Sequence, residues 1–410
     1  MREYYLHTLE NGIRIVHKQV TNSKIVHCGI MFDIGSRDER PHQQGMAHFW
    51  EHMVFKGTQK RNAYHIINSL ESVGGELNAY TTKEKICFYA SVLDNHFDKA
   101  FDLITDIAFR STFPEKQIEK ERSVILEEMA MYFDSPEDAI QDEFDELIFE
   151  GHQLGKNILG NSESVNSFHK KDFPRFVKDN LNSDKIIFTS VGNVSFKKVV
   201  KLAQKHLGSI GRFEAINKRE EFEVYKPLSK EIQRSLTQAQ CAIGNTAYAI
   251  RDKRRLPFFM LLNILGGPGM NSRLNLSLRE KFGMVYSIDA SYNPFVDTGS
   301  MGIFFGTEPR QVKRCIQLVL KELQKLREVK LGTLQLHKAK EQLMGQLAMA
   351  EENNNSHMLM MAKSLLDIES IPGIEEIFDR IKSVDSSFLL EIANESFEEK
   401  NLSILTYLPN

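Results

Sequence analysis

Hydrophobic and polar positions follow two different periods along this chain, and the switches between them lay out its elements. Between residues 12 and 34 apolar side chains alternate well enough to predict two strands around the turn-like Thr21-Asn22-Ser23. From Met46 the period lengthens. Met46, Phe49, Trp50, Met53 and Val54 stand at i, i+3, i+4, i+7 and i+8, the buried stripe of a helix. A second helix is predicted over 63–72, ended by Gly74-Gly75. Residues 77–82 and 85–93 read as strands, and helical stretches follow at 96–109 and 114–133, the latter opening on a proline. A strand at 186–191 and a helix at 196–207 close this half.

The order of elements then recurs. It runs through a strand at 238–246, a helix at 257–265, a Gly-rich turn, a helix at 272–282 and strands at 285–291 and 301–307. Long helices over 309–329 and 332–350 follow. Two halves of similar length and order suggest a duplicated α+β unit. Residues 208–230 lack either period and carry Gly, Pro and clustered charges, as a linker does. The expected division is 1–215, a linker at 216–231, and 232–410.

Composition narrows the function classes. The chain has 410 residues, 41% hydrophobic and 26% charged, which suits two or three globular domains with substantial cores. A formal net charge of −3 gives no electrostatic reason to expect nucleic acid or an anionic membrane as partner. The longest apolar run, near 258–265, is far shorter than the roughly 20 residues that span a bilayer. The first residues lack the apolar stretch of a signal peptide. Cys28, Cys87, Cys241 and Cys315 are widely spread, none in a C-x-x-C pair, so free thiols and a cytoplasmic location are expected.

Candidate chemistry concentrates at His48-Phe-Trp-Glu51-His52, an H-x-x-E-H on the predicted helix. Imidazoles at i and i+4 share a helix face and can clamp one metal ion. The glutamate between them stands where it can take a proton from a water on that ion. At about 100° per residue, the apolar stripe centres almost opposite His48, Glu51 and His52. A catalytic zinc site needs a third protein ligand. On the acidic helix near 114–133, Ile118, Ile125, Met129 and Tyr132 form the predicted apolar face. Glu121 and Glu128, two turns apart, lie at its edge, whereas Glu119 and Glu127 turn toward solvent. Two carboxylates beside a buried stripe need a compensating cation or proton. Geometry alone leaves the choice between Glu121 and Glu128 open.

Other polar clusters have plainer readings. His42 and His65 read as surface or capping residues, and residues 134–138 as a helix-ending turn. The polar run from Glu351 followed by Met358, Met360 and Met361 reads as a break before a methionine-filled core. Gly266-Gly-Pro-Gly269 lacks the Lys-Ser/Thr of a phosphate-binding loop. No Ser-His-Asp or Cys-His arrangement competes.

Several segments together resemble the pitrilysin, insulin-degrading enzyme and mitochondrial processing peptidase family of zinc metallopeptidases. They are Gly35-Ser-Arg-Asp-Glu39, the run from Gly45 to Thr58, Gly74-Gly-Glu-Leu-Asn-Ala-Tyr-Thr81 and Glu121-Arg-Ser-Val-Ile-Leu-Glu-Glu128. In the second half they are the runs from Leu265 to Leu274 and from Leu278 to Tyr286. The short-chain branch is the nearest match. The resemblance implies an α+β fold of two similar domains, each a mixed, mostly antiparallel sheet packed against helices, forming half of a clam-shell chamber. It implies zinc held by His48, His52 and Glu128, Glu51 as catalytic base and Glu121 as the acid supporting a ligand. It places Asn78 on a substrate-binding edge strand and gives Arg279 and Tyr286 contacts to substrate. The implied activity is zinc-dependent endopeptidase action on short or unfolded peptides, by a homodimer or a heterodimer with a related subunit. Trp50 departs from the more usual leucine but keeps the apolar stripe. A non-catalytic subunit of the same fold would be expected to lose motif residues, and none is missing.

Overall fold

In the computed structural model, which describes residues 4–410, the chain divides into two units. The first holds the chain up to Met129, Lys156–Glu220 and Ala350–Ile371. The second holds Ala130–Gly155, Glu221–Met349 and Pro372–Asn410.

The first unit is built on six strands: β1 (Tyr5–Thr8), β2 (Arg14–Gln19), β3 (Ile25–Phe32), β4 (Glu76–Thr81), β5 (Ile86–Leu93) and β6 (Ile186–Gly192). They lie in the order β1-β2-β6-β3-β5-β4, with only β2 and β6 parallel. Strand β6 is buried along its whole length, so both faces of the sheet are covered where it runs. Its residues alternate between two cores. Ile186 and Phe188 join one with helices α1 (Met46–Met53), α2 (Ala63–Glu71), α3 (Phe97–Phe109) and α4 (Glu115–Asp134). Ile187 and Val191 join the other, filled by Met358, Met361 and Leu365 of the helix Asn354–Ile368. That helix is the predicted methionine core after the polar break at 351–356.

The second unit repeats the plan. Helix α5 (Pro136–Ile148) accompanies five strands: β7 (Ser229–Arg234), β8 (Ala239–Ala247), β9 (Val285–Pro294), β10 (Gly299–Thr307) and β11 (Ser403–Pro409). Their order is β7-β11-β8-β10-β9, with β7 and β11 parallel and the other pairs antiparallel. This is the order β2-β6-β3-β5-β4 of the first sheet, with the same sequence of parallel and antiparallel pairs. Side chains on one face join helices 255–266, 312–328 and Ser386–Ser396; those on the other meet α5.

Two sequence expectations differ from this arrangement. The halves are not consecutive stretches of chain, because α5 belongs to the second unit and the helix Asn354–Ile368 to the first. Periodicity shows which face of a helix is covered, not which sheet covers it. Tyr132 was expected on the apolar face of α4, but it is 37% exposed. From Ala130 to Asp134 every residue of α4 is exposed, so the stripe ends with Met129. No helix among the described residues is long and apolar enough to cross a membrane.

Residues 211–228 carry no regular structure, yet part of this stretch is tied down. Arg219 donates from Nε and Nη2 to Asp38 (2.7 and 3.0 Å) and from Nη1 to Asp33 (3.0 Å). Its Nη2 also reaches the carbonyls of Asp33 and Glu84. Burial pushes the Asp33 carboxyl up, but Arg219 and Lys85 outweigh it and hold it below the ordinary range. Removing the guanidinium by Arg219→Met leaves largely buried carboxylates short of a partner. The expected loss is about 3 kcal/mol, the low end for breaking such a pair because Asp33 keeps Lys85. A urea titration checks this, and an unchanged midpoint would deny the pair any net contribution.

Candidate metal centre

Helix α1 is set in place from both of its sides. At its N-terminus Gly45 adopts φ +91°, and a Cβ there would lie 2.5 Å from the Leu159 carbonyl oxygen, so glycine is required. The buried Glu39 carboxylate accepts from the backbone N–H of Gly45 (2.9 Å) and of Ala47 (2.8 Å). It thereby satisfies amides that a helix start leaves without partners. Burial drives the Glu39 carboxyl well above its ordinary pKa, although these two amides pull it back. Met46, Phe49, Trp50 and Met53 are buried, and the Trp50 ring meets Phe88 edge-on at 5.6 Å. With that face under the sheet, His48, Glu51 and His52 project from the other.

There His48 and His52 meet Glu128 of α4, with one possible ligand atom from each lying within 4.8 Å of the others. His48 Nε2 is 3.8 Å from Glu128 Oε1, and His52 Nε2 is 3.5 Å from Glu128 Oε2. Both separations exceed a good hydrogen bond. Atoms bound tetrahedrally to zinc at 2.0–2.2 Å stand roughly 3.3–3.6 Å apart, so the three groups are spaced for an ion between them. Burial, and secondarily His52, lowers the His48 pKa to about 3, keeping the ring in the neutral form that binds metal. Two histidines and a glutamate with room for water are the donor set of a catalytic zinc site. The residues therefore fit such an ion.

Glu121, one of the two acids left open by spacing, takes a supporting place. Its Oε2 lies 3.2 Å from His52 Nδ1, and its Oε1 lies 2.6 Å from Lys56 Nζ. Burial pushes the Glu121 carboxyl up, but the bonds from His52 and Lys56 overcome this and leave it below the ordinary range. A carboxylate on Nδ1 fixes the ring orientation and leaves Nε2 directed at Glu128. Glu51 accepts a 2.6 Å hydrogen bond at Oε2 from Thr81 Oγ1 of β4. Burial raises the Glu51 pKa, against the bond from Thr81 and the charge of His52.

The remaining candidates lie elsewhere. Asn78 is exposed on β4, the terminal strand of its sheet, opposite Tyr89 of β5. Arg279 belongs to the second unit, on a π-helical segment, Asn275–Lys281. Its guanidinium carbon is 5.9 Å from the centre of the Tyr286 ring, which is 85% exposed. His42 and His65 are exposed and apart from the cluster. Sequence reasoning assigned no role to Glu39, Lys56 or Thr81. Lys56 falls four residues after His52, a spacing that hints at a shared side but only once Glu121 is known to bridge them.

Comparison with known proteins agrees with this chemistry. Residues 14–162 match the family described as Insulinase (Peptidase family M16), and residues 167–343 match the Peptidase M16 inactive domain. YmxG of Bacillus subtilis, named an uncharacterized zinc protease, is 32% identical over 96% of this chain and 95% of its own length. A Streptomyces coelicolor protein, likewise named an uncharacterized zinc protease, is 32% identical over 95% of this chain and 86% of its own. Among solved structures, a protease from Helicobacter pylori superposes with a TM-score of 0.91 at 21% identity, covering 99% of each chain. Peptidase M16 inactive domain from Pseudomonas fluorescens gives a TM-score of 0.91 at 16% identity, over 99% of this chain and 98% of its own. At those identities the structures speak to fold alone.

The link from Lys56 through Glu121 to His52 makes a prediction about metal affinity. Lys56→Met should weaken metal binding roughly 10- to 100-fold, as loss of such outer support does, while Lys56→Arg keeps most of it. Competition against a chelator of known affinity measures both. Equal affinities in all three proteins would disconnect Lys56 from the ligand.

Proposed function

The chain belongs to peptidase family M16, and from that premise we propose that it is a zinc-dependent endopeptidase hydrolysing short or unfolded peptides bound in extended form. The observation that carries this reading is the convergence of His48, His52 and Glu128, with Glu51 beside them. Those three side chains would hold the ion. Zinc bound there supplies Lewis acidity, polarising a peptide carbonyl and making water acidic enough to lose a proton near neutral pH.

The chain's own groups supply the rest. Glu51 acts as general base: Thr81 occupies Oε2, so Oε1 takes the proton of the attacking water and returns it to the departing amine nitrogen. A carboxyl pushed above its ordinary pKa by burial serves both transfers, since it accepts and releases a proton nearer to neutral pH. Glu121 holds the His52 ring through Nδ1, and Lys56 keeps Glu121 charged.

Substrate is proposed to add backbone to backbone along the free edge of β4, beside Asn78. That mode tolerates varied side chains but requires an extended chain, which disfavours folded proteins. Arg279 and Tyr286 enter the proposal as substrate-binding groups on the strength of their motif, one offering a cation and the other a phenol to a peptide or a developing oxyanion. The reading extends to a dimer, of this chain or with a related subunit, working in the cytoplasm. Four buried, unpaired cysteines support a reducing compartment.

Two measurements test it. Glu51→Gln should lower the rate of peptide cleavage by about 10²- to 10⁴-fold, the usual contribution of a general base, with zinc stoichiometry unchanged. Turnover retained by that variant would remove Glu51 from the chemistry. Independently, a strong chelator should abolish cleavage of an unstructured peptide and added zinc should restore it; cleavage indifferent to chelation would end the metallopeptidase reading.

A further inference from the structure

The second unit contains an open cavity of about 520 Å³ whose walls are strongly basic. Arg273, Lys281, Lys321 and Lys325 line it against one carboxylate, Glu322. That carboxylate is already held by Lys325 at 2.7 Å. A net cationic pocket in a chain of formal charge −3 is not a spill-over of composition. None of its lining residues belongs to the metal centre, and Arg279 and Tyr286 are not among them.

Arg273 is the telling member. It is only partly exposed, and among the described residues it makes no hydrogen bond or ion pair. Its place is fixed by the neighbouring Leu274, which is fully buried. Burial acts against its charge, and only Glu322 opposes that. An arginine held half out of water with an unused donor fork is costly unless something anionic completes it. Lys321 and Lys325 stand at i and i+4 on the helix Val312–Glu328, and while Lys325 is paired with Glu322, Lys321 has no ion pair among the described residues. The hydroxyl of Ser277 adds a donor to the same wall. Apart from Gln335 the remaining wall is apolar: Phe282, with Lys281 Nζ 5.2 Å from its ring centre, beside Leu276 and Leu318. A bare hydrated ion would leave that side unused.

We infer that this cavity binds a small organic anion with a phosphoryl head and an apolar body, a phosphomonoester being the simplest case. The guanidinium fork takes two phosphoryl oxygens, the ammonium groups balance the second negative charge, and the Phe282 side packs the body. A carboxylate has one charge and two oxygens and would leave cations unmatched.

Calorimetric titration of the full chain at near-physiological salt tests this, with phenyl phosphate, inorganic phosphate and benzoate as probes. Phenyl phosphate is expected to saturate one site, and each of the other two to bind at least ~10-fold more weakly. Arg273→Met should weaken phenyl phosphate roughly 10- to 100-fold, the loss of a bidentate charge-assisted contact. The double variant Lys281→Met with Lys321→Met alters only exposed side chains and should weaken it about 10-fold without disturbing the fold. The assignment is overturned if phenyl phosphate shows no saturable binding, or if the double variant binds it as tightly as the parent. Inorganic phosphate or benzoate binding as tightly as phenyl phosphate would overturn it equally.

Discussion

Burial of one face of an eight-residue helix is the constraint on which the rest of the site depends. Helix α1 is too short to hold its shape by its own hydrogen bonds. It persists because Phe49, Trp50 and Met53 are covered by the first core and because Glu39 caps its first amides. Once that face is fixed, helical geometry leaves no freedom in where the other face points. His48, Glu51 and His52 are then directed toward α4 and β4 without any loop having to place them. A site carried on packed elements keeps its ligand spacing better than one carried on loops.

The polar side of the same helix is organised by graded burial. Burial keeps His48 neutral, whereas Glu121, also buried, stays charged because His52 Nδ1 and the Lys56 ammonium reach it. Glu51 lies between these extremes, its pKa raised by burial and held back by a single neutral hydroxyl. Of the three carboxylates gathered around two imidazoles, Glu51 and Glu121 thus differ in pKa because of their surroundings, not their type. Glu128 faces the two rings, Glu121 meets one of them at Nδ1, and Glu51 holds one oxygen on the Thr81 hydroxyl.

How much of this was legible in the sequence varies with the physics involved. The buried stripe of α1, the strands β2, β3, β4 and β5, and the helix end at Gly74 follow from local periodicity and turn chemistry, and they stand close to where the pattern puts them. Spacing on α4 narrowed the acids to Glu121 and Glu128 but could not rank them, since both lie at the same edge of one face. Only the position of α4 against α1 separates them. Periodicity gave no role to Glu39, Lys56 or Thr81: Lys56 and Thr81 meet partners far along the chain, and Glu39 caps α1 from outside the helix. The assignment of α5 and of the helix Asn354–Ile368 to opposite units was invisible for the same reason.

The repeated sheet order shows that the fold does not by itself dictate the chemistry. In the second unit the helix standing between β8 and β9, as α1 stands between β3 and β4, is Arg255–Gly266. It is apolar on nearly every side: Phe258, Met260, Leu261, Leu262 and Leu265 are all buried, and no histidine or glutamate lies among its residues. Its one exposed position, Phe259, carries no group that could ligate a metal. The element after it, where α2 follows α1, is widened into a π-helical segment, and its Lys281 lines an open cavity. The same plan therefore yields a two-faced helix that positions a metal centre in one copy. In the other it yields a largely buried, almost wholly apolar helix beside an exposed basic wall.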